Sequence, residues 1–247
     1  MKRLIDIVVA LFGLIVLAPI IIPVMFLVWL QDRHSPFYVA ARAAKNSGEF
    51  RMVKLRSMIK NADRTGVDST SSNDARITPV GAFIRKYKLD EVVQLWNVLL
   101  GDMSLVGPRP NVIRETNLYT SQEQRLLSVK PGITDYASIV FSDEGNILDG
   151  SSDPDICYHQ LIRPGKSKLG LFYVDNHGTL SDLVIIALTV IAIVNKRAAL
   201  NGIVTVLRSK SASAELIEIA TRRSPLVPTP PPGASEIVTS RGGEVIG

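Results

Sequence analysis

The longest uniform feature of the chain is an apolar run from Ile7 to Leu30 that contains no charged residue. As a straight helix it would reach about 36 Å, enough to cross a hydrocarbon core of about 30 Å. Length therefore favours one transmembrane helix, whereas a secretory signal would be shorter and end at a small-residue cleavage site. Pro19 and Pro23 each remove a backbone donor, so we expect a kink near the middle. Basic residues flank both ends and leave the orientation open.

Two short segments after this run predict a β-hairpin. Residues 35–42 (SPFYVAAR) and 50–58 (FRMVKLRSM) have the composition of strands. The turn-forming sequence Asn46-Ser47-Gly48 lies between them.

The rest of the chain alternates polar and apolar segments. They predict a polar loop over 60–75, a short amphipathic helix over 77–87, a helix over 114–129 that ends at Pro131-Gly132, an apolar helix over 181–195, and a tail without periodicity over 222–247. The apolar helix is too short to span a bilayer and suits a membrane surface or a core. The tail contains PLVPTPPPGAS, a composition that predicts disorder.

The stretch Lys88–Pro110, KLDEVVQLWNVLLGDMSLVGPRP, joins an amphipathic helix to a Gly/Pro-rich turn. On a 3.6-residue helix its apolar positions share one stripe, formed by Leu89, Val92, Val93, Trp96, Leu99 and Leu100. Asp90, Gln94 and Asn97 line the flank beside it. We therefore expect the helix to bury one side and to present an acid and two amides to a ligand.

Asp90 and Glu91 at the helix start, with Arg109 in the turn, are the parts of a site for a metal-bound phosphate. A plainer interpretation stays open. Asp90 then caps the helix, Glu91 favours its first turn, and GPRP is an ordinary turn.

Composition and charge limit the classes of binding partner that the chain is expected to have. The chain has 247 residues, of which 46% are hydrophobic, so it can form one domain with a substantial core. The net charge of +5 favours anionic partners. No zinc-type spacing, Walker loop or nucleic-acid motif appears, so a membrane or a phosphate ester is favoured over nucleic acid. The single cysteine, Cys157, excludes an intramolecular disulfide and fits a reducing compartment; no local partner pattern supports a catalytic thiol.

The stretch Leu89–Pro110 resembles the signature of the bacterial sugar transferases, monotopic phosphoglycosyl transferases that begin surface-glycan assembly on a polyprenyl carrier. Leu-Asp-Glu, Gln-Leu-Trp-Asn-Val and Gly-Asp-Met-Ser-Leu-Val-Gly-Pro-Arg-Pro are all present in it. A weaker resemblance extends from Lys2 to about Val194. Its main positions are Ala18-Pro19, Lys54-Leu55-Arg56-Ser57-Met58, Pro164, Lys166, Tyr173, Val174 and Asp182.

The chain departs from the family pattern at four positions. Ala40 and Ala44 stand where the family has glutamine and glycine around its arginine. After Pro131-Gly132-Ile133-Thr134, Asp135 replaces a glycine and Ser138 stands in the region of a glutamine. Contacts from these positions are not carried over from the family.

The resemblance implies a reaction. A sugar 1-phosphate passes from a UDP-sugar to undecaprenyl phosphate and UMP is released, as the first step of surface-glycan assembly (O-antigen, capsule or exopolysaccharide). The partners are these two substrates and membrane phospholipid, without nucleic acid, and a homodimer is left open. The implied location is the cytoplasmic face of the bacterial inner membrane.

The resemblance also implies residue roles. Asp90 is the nucleophile, kept ionised by the helix N-terminus, and Glu91 tunes it; both are expected to hold Mg²⁺. Phosphate or substrate contacts are expected from Arg85, Arg109, Lys54, Arg56 and Asp182. Two of these have plainer alternatives, since Arg85 also suits a solvated basic face and Asp182 a helix cap.

We therefore predict an α+β fold, mostly helical with a small β-hairpin, in a monotopic membrane protein with an N-terminal re-entrant helix. The predicted divisions are a re-entrant helix over 1–33, a catalytic domain over 34–209 and a tail over 210–247, disordered from about 222. Two other classes stay open, a glycosyl transferase that releases UDP and a catalytically silent membrane scaffold.

Overall fold

The computed structural model describes residues 1–62 and 69–240, so part of the predicted loop over 60–75 lies outside the described residues. The helices in the described parts are α1 Lys2–Asp32, α2 Pro79–Lys86, α3 Leu89–Val92, α4 Leu95–Leu100, α5 Ile113–Thr116, α6 Tyr136–Val140, α7 Glu144–Ile147, α8 Pro154–Cys157, α9 Arg163–Asn176, α10 Thr179–Val194, α11 Lys196–Ser209 and α12 Ala214–Thr221. The strands there are β1 Phe37–Ala43, β2 Glu49–Leu55, β3 Ser104–Val106 and β4 Gly132–Thr134. The predicted α+β class, mostly helical with a small hairpin, is confirmed.

The hairpin forms where the sequence predicts it. β1 and β2 pair antiparallel, with Phe37 opposite Leu55 and Ala43 opposite Glu49. The connection turns through Asn46 and Ser47, which both have a φ of 58°. Asparagine tolerates this left-handed conformation better than most residues, which explains the turn signal in the sequence.

The predicted helix after Lys88 is interrupted. It forms α3 and α4, with Val93 and Gln94 between them. Trp96 and Leu100 are exposed rather than buried, so the predicted apolar stripe is wrong at both positions.

Asn97 is not offered to a ligand but buried. Its Oδ1 accepts from the backbone N–H of Val53, and its Nδ2 donates to the carbonyl of Arg51 at 2.8 Å. Asn97 therefore fixes α4 to β2.

A second two-stranded sheet brings together the Gly-Pro-Arg-Pro turn and the segment Pro131-Gly132-Ile133-Thr134. β3 pairs parallel with β4, and Gly132, which is paired with Ser104, lies against Gly107, the residue after β3. A Cβ on Gly132 would lie 2.1 Å from the backbone nitrogen of Gly107, so neither position has room for a side chain. The helix predicted over 114–129 is wrong: that segment holds only α5 and a 3₁₀ stretch, Glu123–Ser128.

α1 lies against the rest of the molecule along one stripe. Its packed residues recur every three or four positions and are Asp6, Ala10, Gly13, Leu17, Ile21, Val24 and Val28. Most of its remaining apolar side chains are exposed, and in the described parts of the chain it is the one helix long and apolar enough to cross a membrane.

Both ends of α1 contact the same folded body. Lys2 Nζ donates to the carbonyl of Val106 at 3.0 Å, and Asp32 forms an ion pair with Arg56. Pro19 and Pro23 lie inside this helix, and a kink at them stays a prediction.

The C-terminal segment contacts the rest of the molecule over its described part, and disorder from about 222 stays a prediction. α12 packs on the body, and residues 222–240 follow without helix or strand. Gln160 Nε2 donates to the carbonyl of Val238 at 2.8 Å, and Val238 is fully buried. Buried apolar side chains and hydrogen bonds of this kind offset the chain entropy lost on ordering. The domain boundaries at 33 and 209 stay predictions.

Candidate active site

Four charged side chains from three parts of the fold lie together at the start of α3. Asp90 and Glu91 are in its first turn, Lys54 is near the end of β2, and Arg109 is in the turn after β3. Arg109 Nη2 donates to Glu91 Oε1 at 2.6 Å, and Lys54 interacts electrostatically with all three of the others. We call these four residues the charged cluster.

The two carboxylates of the cluster have opposite environments. Burial raises the pKa of Asp90, against the attraction of Lys54, and the neighbouring Glu91 raises it further. Burial also disfavours ionisation of Glu91, but Arg109, with Lys88 and Lys54, outweighs it and lowers the pKa of Glu91 to about 2. Adjacent acids with pKa values moved apart are suited to different roles.

This balance corrects one prediction. We expected a helix N-terminus to keep Asp90 ionised, but α3 is only four residues long and has little dipole to offer. The interactions that favour the charged form of Asp90 come instead from Lys54, Arg109 and Arg85.

Lys54 is the adjustable cation of the cluster. Burial, helped by the Arg109 charge, lowers its pKa to about 8, while Asp90 and Glu91 act in the opposite direction. Arg109 remains charged throughout the physiological range, because its pKa is raised by Glu91.

The structure places the other three predicted phosphate-binding residues, Arg85, Arg56 and Asp182, in different environments. Arg85 is half-buried and near enough to act electrostatically on Asp90. Arg56 does not join the cluster, since it pairs with Asp32 at the end of α1. Asp182 also lies elsewhere, where its carboxylate pairs with Lys2 and accepts from Tyr173 Oη. Arg56 and Asp182 are therefore both bonded to protein groups outside the charged cluster, and a substrate contact from either stays a prediction.

An open cleft is lined in part by Arg109. Lys166, Asp135 and Ser138 also line it. Asp135 Oδ1 accepts from the backbone N–H of Ser138 at 2.6 Å and caps α6. Two of the departures from the family pattern are thus bonded to each other beside Arg109.

Gln94 is a polar residue whose burial the sequence did not predict. It is 1% exposed, and its Nε2 has no hydrogen-bond partner within residues 1–62 and 69–240. It lies in the turn between α3 and α4, four positions after Asp90 in the sequence. The turn that follows the two carboxylates therefore holds a buried amide donor without a partner in the described residues.

Residues 1–196 match the bacterial sugar transferase family. The chain belongs to this family. It is also 34% identical to the exopolysaccharide production protein ExoY of Sinorhizobium fredii over 207 residues, 78% of this chain and 84% of that protein.

Two longer relatives carry names that state their chemistry. A UDP-N-acetylgalactosamine-undecaprenyl-phosphate N-acetylgalactosaminephosphotransferase of Aeromonas hydrophila is 34% identical over 56% of this chain. A UDP-galactose-lipid carrier transferase of Erwinia amylovora is 36% identical over 54% of it. The aligned parts cover 34% and 31% of those two proteins, so this sugar transferase spans about a third of their length.

The resemblance found in the sequence is thereby confirmed, and with it a phosphoglycosyl transferase at the level of the family. Family membership and the long apolar α1 together indicate membrane association of this sugar transferase.

The charged cluster has the ligands that a hard cation needs. In the part of the chain that the structure describes, no three His, Cys, Asp or Glu side chains form a ready metal site. Asp90 and Glu91 still offer adjacent carboxylates, and Arg109 occupies only one oxygen of Glu91. Mg²⁺ typically takes one or two carboxylates and keeps positions for water and phosphate, so this sugar transferase fits it.

Proposed function

We propose that this sugar transferase moves a sugar 1-phosphate from a UDP-sugar to undecaprenyl phosphate and releases UMP, as the first step in assembly of a surface glycan. The observation that carries the proposal is the charged cluster, in which two carboxylates of different pKa lie with Lys54 and Arg109. The names of the Aeromonas and Erwinia relatives describe the same class of donor and acceptor for those proteins.

The reaction divides into two displacements at phosphorus. Asp90 attacks the β-phosphorus of the donor, a P–O bond to the leaving UMP breaks, and an aspartyl phosphosugar forms. A phosphate oxygen of undecaprenyl phosphate then attacks the same phosphorus, and the carboxylate of Asp90 is released. The products are the lipid diphosphosugar and UMP, and no oxidant or further reactant is needed.

The cluster contributes mainly charge. Phosphoryl transfer depends on positioning and on neutralising the equatorial oxygens. Arg109 and Lys54 supply two cations beside Asp90, and Arg85 adds a third at longer range. When bound at Asp90 and Glu91, Mg²⁺ would neutralise the diphosphate of the donor.

The contacts of α1 support a monotopic arrangement. A straight span would carry one end of α1 away from the body, whereas Lys2 and Asp32 at opposite ends both contact it. We therefore propose that both ends face the cytoplasm and that the exposed apolar side chains of α1 enter one leaflet. The donor would reach the cluster from the cytoplasm and the carrier from the membrane.

The test is nucleotide release across a panel of UDP-sugars, with undecaprenyl phosphate and Mg²⁺ in detergent. We expect UMP with at least one donor, and no UMP from Asp90→Asn. Asp149→Asn is the control, because it also removes a carboxylate but lies away from the cluster, bonded to Asn73.

Other nucleotide outcomes identify the alternatives. Release of UDP would indicate a glycosyl transferase that forms a glycosidic bond. Membrane binding without any nucleotide product would indicate a scaffold. Either result would contradict the proposed reaction.

A further inference from the structure

The first turn of α1 is bonded to the strand that precedes the Arg109 turn. Asp6 Oδ1 accepts from the backbone N–H of Leu105 at 3.0 Å and from Ser104 Oγ at 3.1 Å. Lys2 Nζ donates to the carbonyl of Val106 at 3.0 Å. An acid and a base from the apolar helix therefore hold backbone groups of β3.

Two side chains from α9 and α10 also contact Lys2 and the end of β3. Tyr173 Oη lies 3.0 Å from the carbonyl oxygen of Val106 and 2.9 Å from Asp182 Oδ1. Asp182 also forms the ion pair with Lys2. We call Lys2, Asp6, Tyr173 and Asp182 the N-terminal clasp.

The clasp is mostly removed from solvent. Asp6 and Asp182 are each 5% exposed and Tyr173 is 1% exposed, whereas the Lys2 side chain remains 36% exposed. A buried ion pair contributes little to stability by itself, but loss of one partner leaves a charge without compensation. An arrangement of this kind is better suited to fixing a geometry than to holding the fold.

The backbone that the clasp holds continues directly to Arg109 of the charged cluster. Val106 ends β3, and only Gly107 and Pro108 separate it from Arg109. Gly107 N–H donates to the carbonyl of Thr134, and the carbonyl of Pro108 accepts from Gly132 N–H. The turn is thus held by β4 and the clasp, while Arg109 reaches from it to Glu91.

We propose that the N-terminal clasp positions Arg109, so that the charged cluster is complete only when the first turn of α1 is docked on β3. Lys2, Asp6 and Asp182 are positioning residues, which act on substrate through Arg109. This inference rests on the proposed function for the role of Arg109 in holding phosphate. It assigns to Lys2 and Asp6 a part in the reaction, and to Asp182 a role other than substrate contact.

The experiment compares Lys2→Met with Lys196→Met in the full-length protein in detergent. Lys196 is a matched control, because it pairs with Asp143 and its side chain is 34% exposed. Hydrogen exchange reports the amides of residues 104–109, and steady-state kinetics report the donor. Lys2→Arg tests rescue, since arginine keeps the charge.

In Lys2→Met we expect faster exchange in residues 104–109. A displaced Arg109 is expected to lower kcat/KM for the donor by about a hundredfold. Lys196→Met is expected to change neither quantity, and Lys2→Arg to recover most of both. Unchanged exchange in this segment, or unchanged kcat/KM despite faster exchange, would overturn the positioning role.

A Tm lowered equally in both lysine variants, with exchange faster throughout the protein, would also overturn it, since it would assign the clasp to general stability. If wild-type protein releases no UMP with any donor, the proposed function fails. The exchange of residues 104–109 then still decides whether the clasp holds the turn.

Discussion

Lys54 is the member of the charged cluster whose charge changes near neutral pH, because burial lowers its pKa to about 8. As the pH rises through this value, the cation beside Asp90 is lost. We expect kcat/KM for the donor to fall above about pH 8, since this ratio reports the free enzyme. A pH profile of UMP release measures it, and Lys54→Arg should move the decline to higher pH, because arginine stays charged.

The same shift has the opposite effect on stability. Between about pH 8 and the ordinary pKa of 10.5, the unfolded chain binds a proton at Lys54 that the folded protein has released. Stability from this group therefore rises with pH over that window. Loss of activity with retained Tm in this range would identify titration in the site; parallel loss of both would contradict this explanation.

Gln94 offers a prediction that separates function from stability. An unpaired buried donor costs about 1–3 kcal/mol, so Gln94→Leu should not lower the Tm and is expected to raise it. If the amide serves a ligand, UMP release falls at least about tenfold. Gln160→Leu is the control, because its Nε2 is already bonded to Val238, and it should lower the Tm.

A lower Tm in Gln94→Leu, with activity lost in proportion, would instead make Gln94 a packing residue. The sequence placed Gln94 beside Asp90 but gave no sign that its amide would be buried without a partner. That property depends on how α3 and α4 meet the rest of the fold.

At the scale of elements, the sequence predicted turns and helix starts correctly where residues close together in the chain determine them. Asn46-Ser47-Gly48 gave the hairpin turn, and Thr78, whose Oγ1 accepts from Gly81 N–H at 2.9 Å, starts α2 close to its predicted position. Tertiary contacts decided the segment over 114–129, where Glu123 is fully buried and bonded to Arg163. A pattern along the sequence does not contain that partner.

The residues of the candidate site also differ in whether their partners lie nearby in the sequence. Asp90, Glu91 and Arg109 lie in one motif, so the sequence predicted them together. Asp182 pairs with Lys2, which is 180 residues away. No spacing rule links two residues so far apart, so the sequence did not predict this pair, and the substrate contact of Asp182 stays a prediction.

The topology of α1 can be tested with cysteines at its two ends. We expect a cysteine inserted after Met1 and His34→Cys, both in a Cys157→Ser background, to be labelled from the cytoplasm only. The physical reason is that both ends of α1 contact one body. Insertion after Met1 leaves Lys2 in place.

Intact cells or spheroplasts with a membrane-impermeant reagent provide the measurement. A cysteine in the exposed apolar face, Ile15→Cys, is the control and should stay unlabelled from both sides, because it would lie in lipid. Periplasmic labelling at either end would establish a spanning helix and reject the re-entrant arrangement.

At the scale of the whole molecule, catalysis is expected to need a hard divalent cation. Asp90 and Glu91 supply oxygen ligands, and the described residues hold no His/Cys cluster that would favour zinc. Excess EDTA should abolish UMP release, and Mg²⁺ should restore it. Glu91→Gln should raise the Mg²⁺ concentration needed for half-maximal rate, and full activity in EDTA would exclude a metal at the cluster.

The exposed apolar surface agrees with membrane association and with the proposed use of a soluble donor and a lipid acceptor. α1 exposes most of its apolar side chains, and Trp96 and Leu100 on α4 are exposed close behind the cluster. α10 adds Leu180, Val190, Ile193 and Val194. Apolar surface of this extent on separate helices is typical of a membrane-interaction face.

The covalent intermediate on Asp90 is the central claim, and intact-mass analysis without acceptor tests it most directly. Wild-type protein incubated with its UDP-sugar and Mg²⁺ should gain the mass of one phosphosugar and release one equivalent of UMP. Peptide mapping should place the adduct on Asp90, and Asp90→Asn should show neither change. Turnover by Asp90→Asn near the wild-type rate, or an adduct on another residue, would contradict the account.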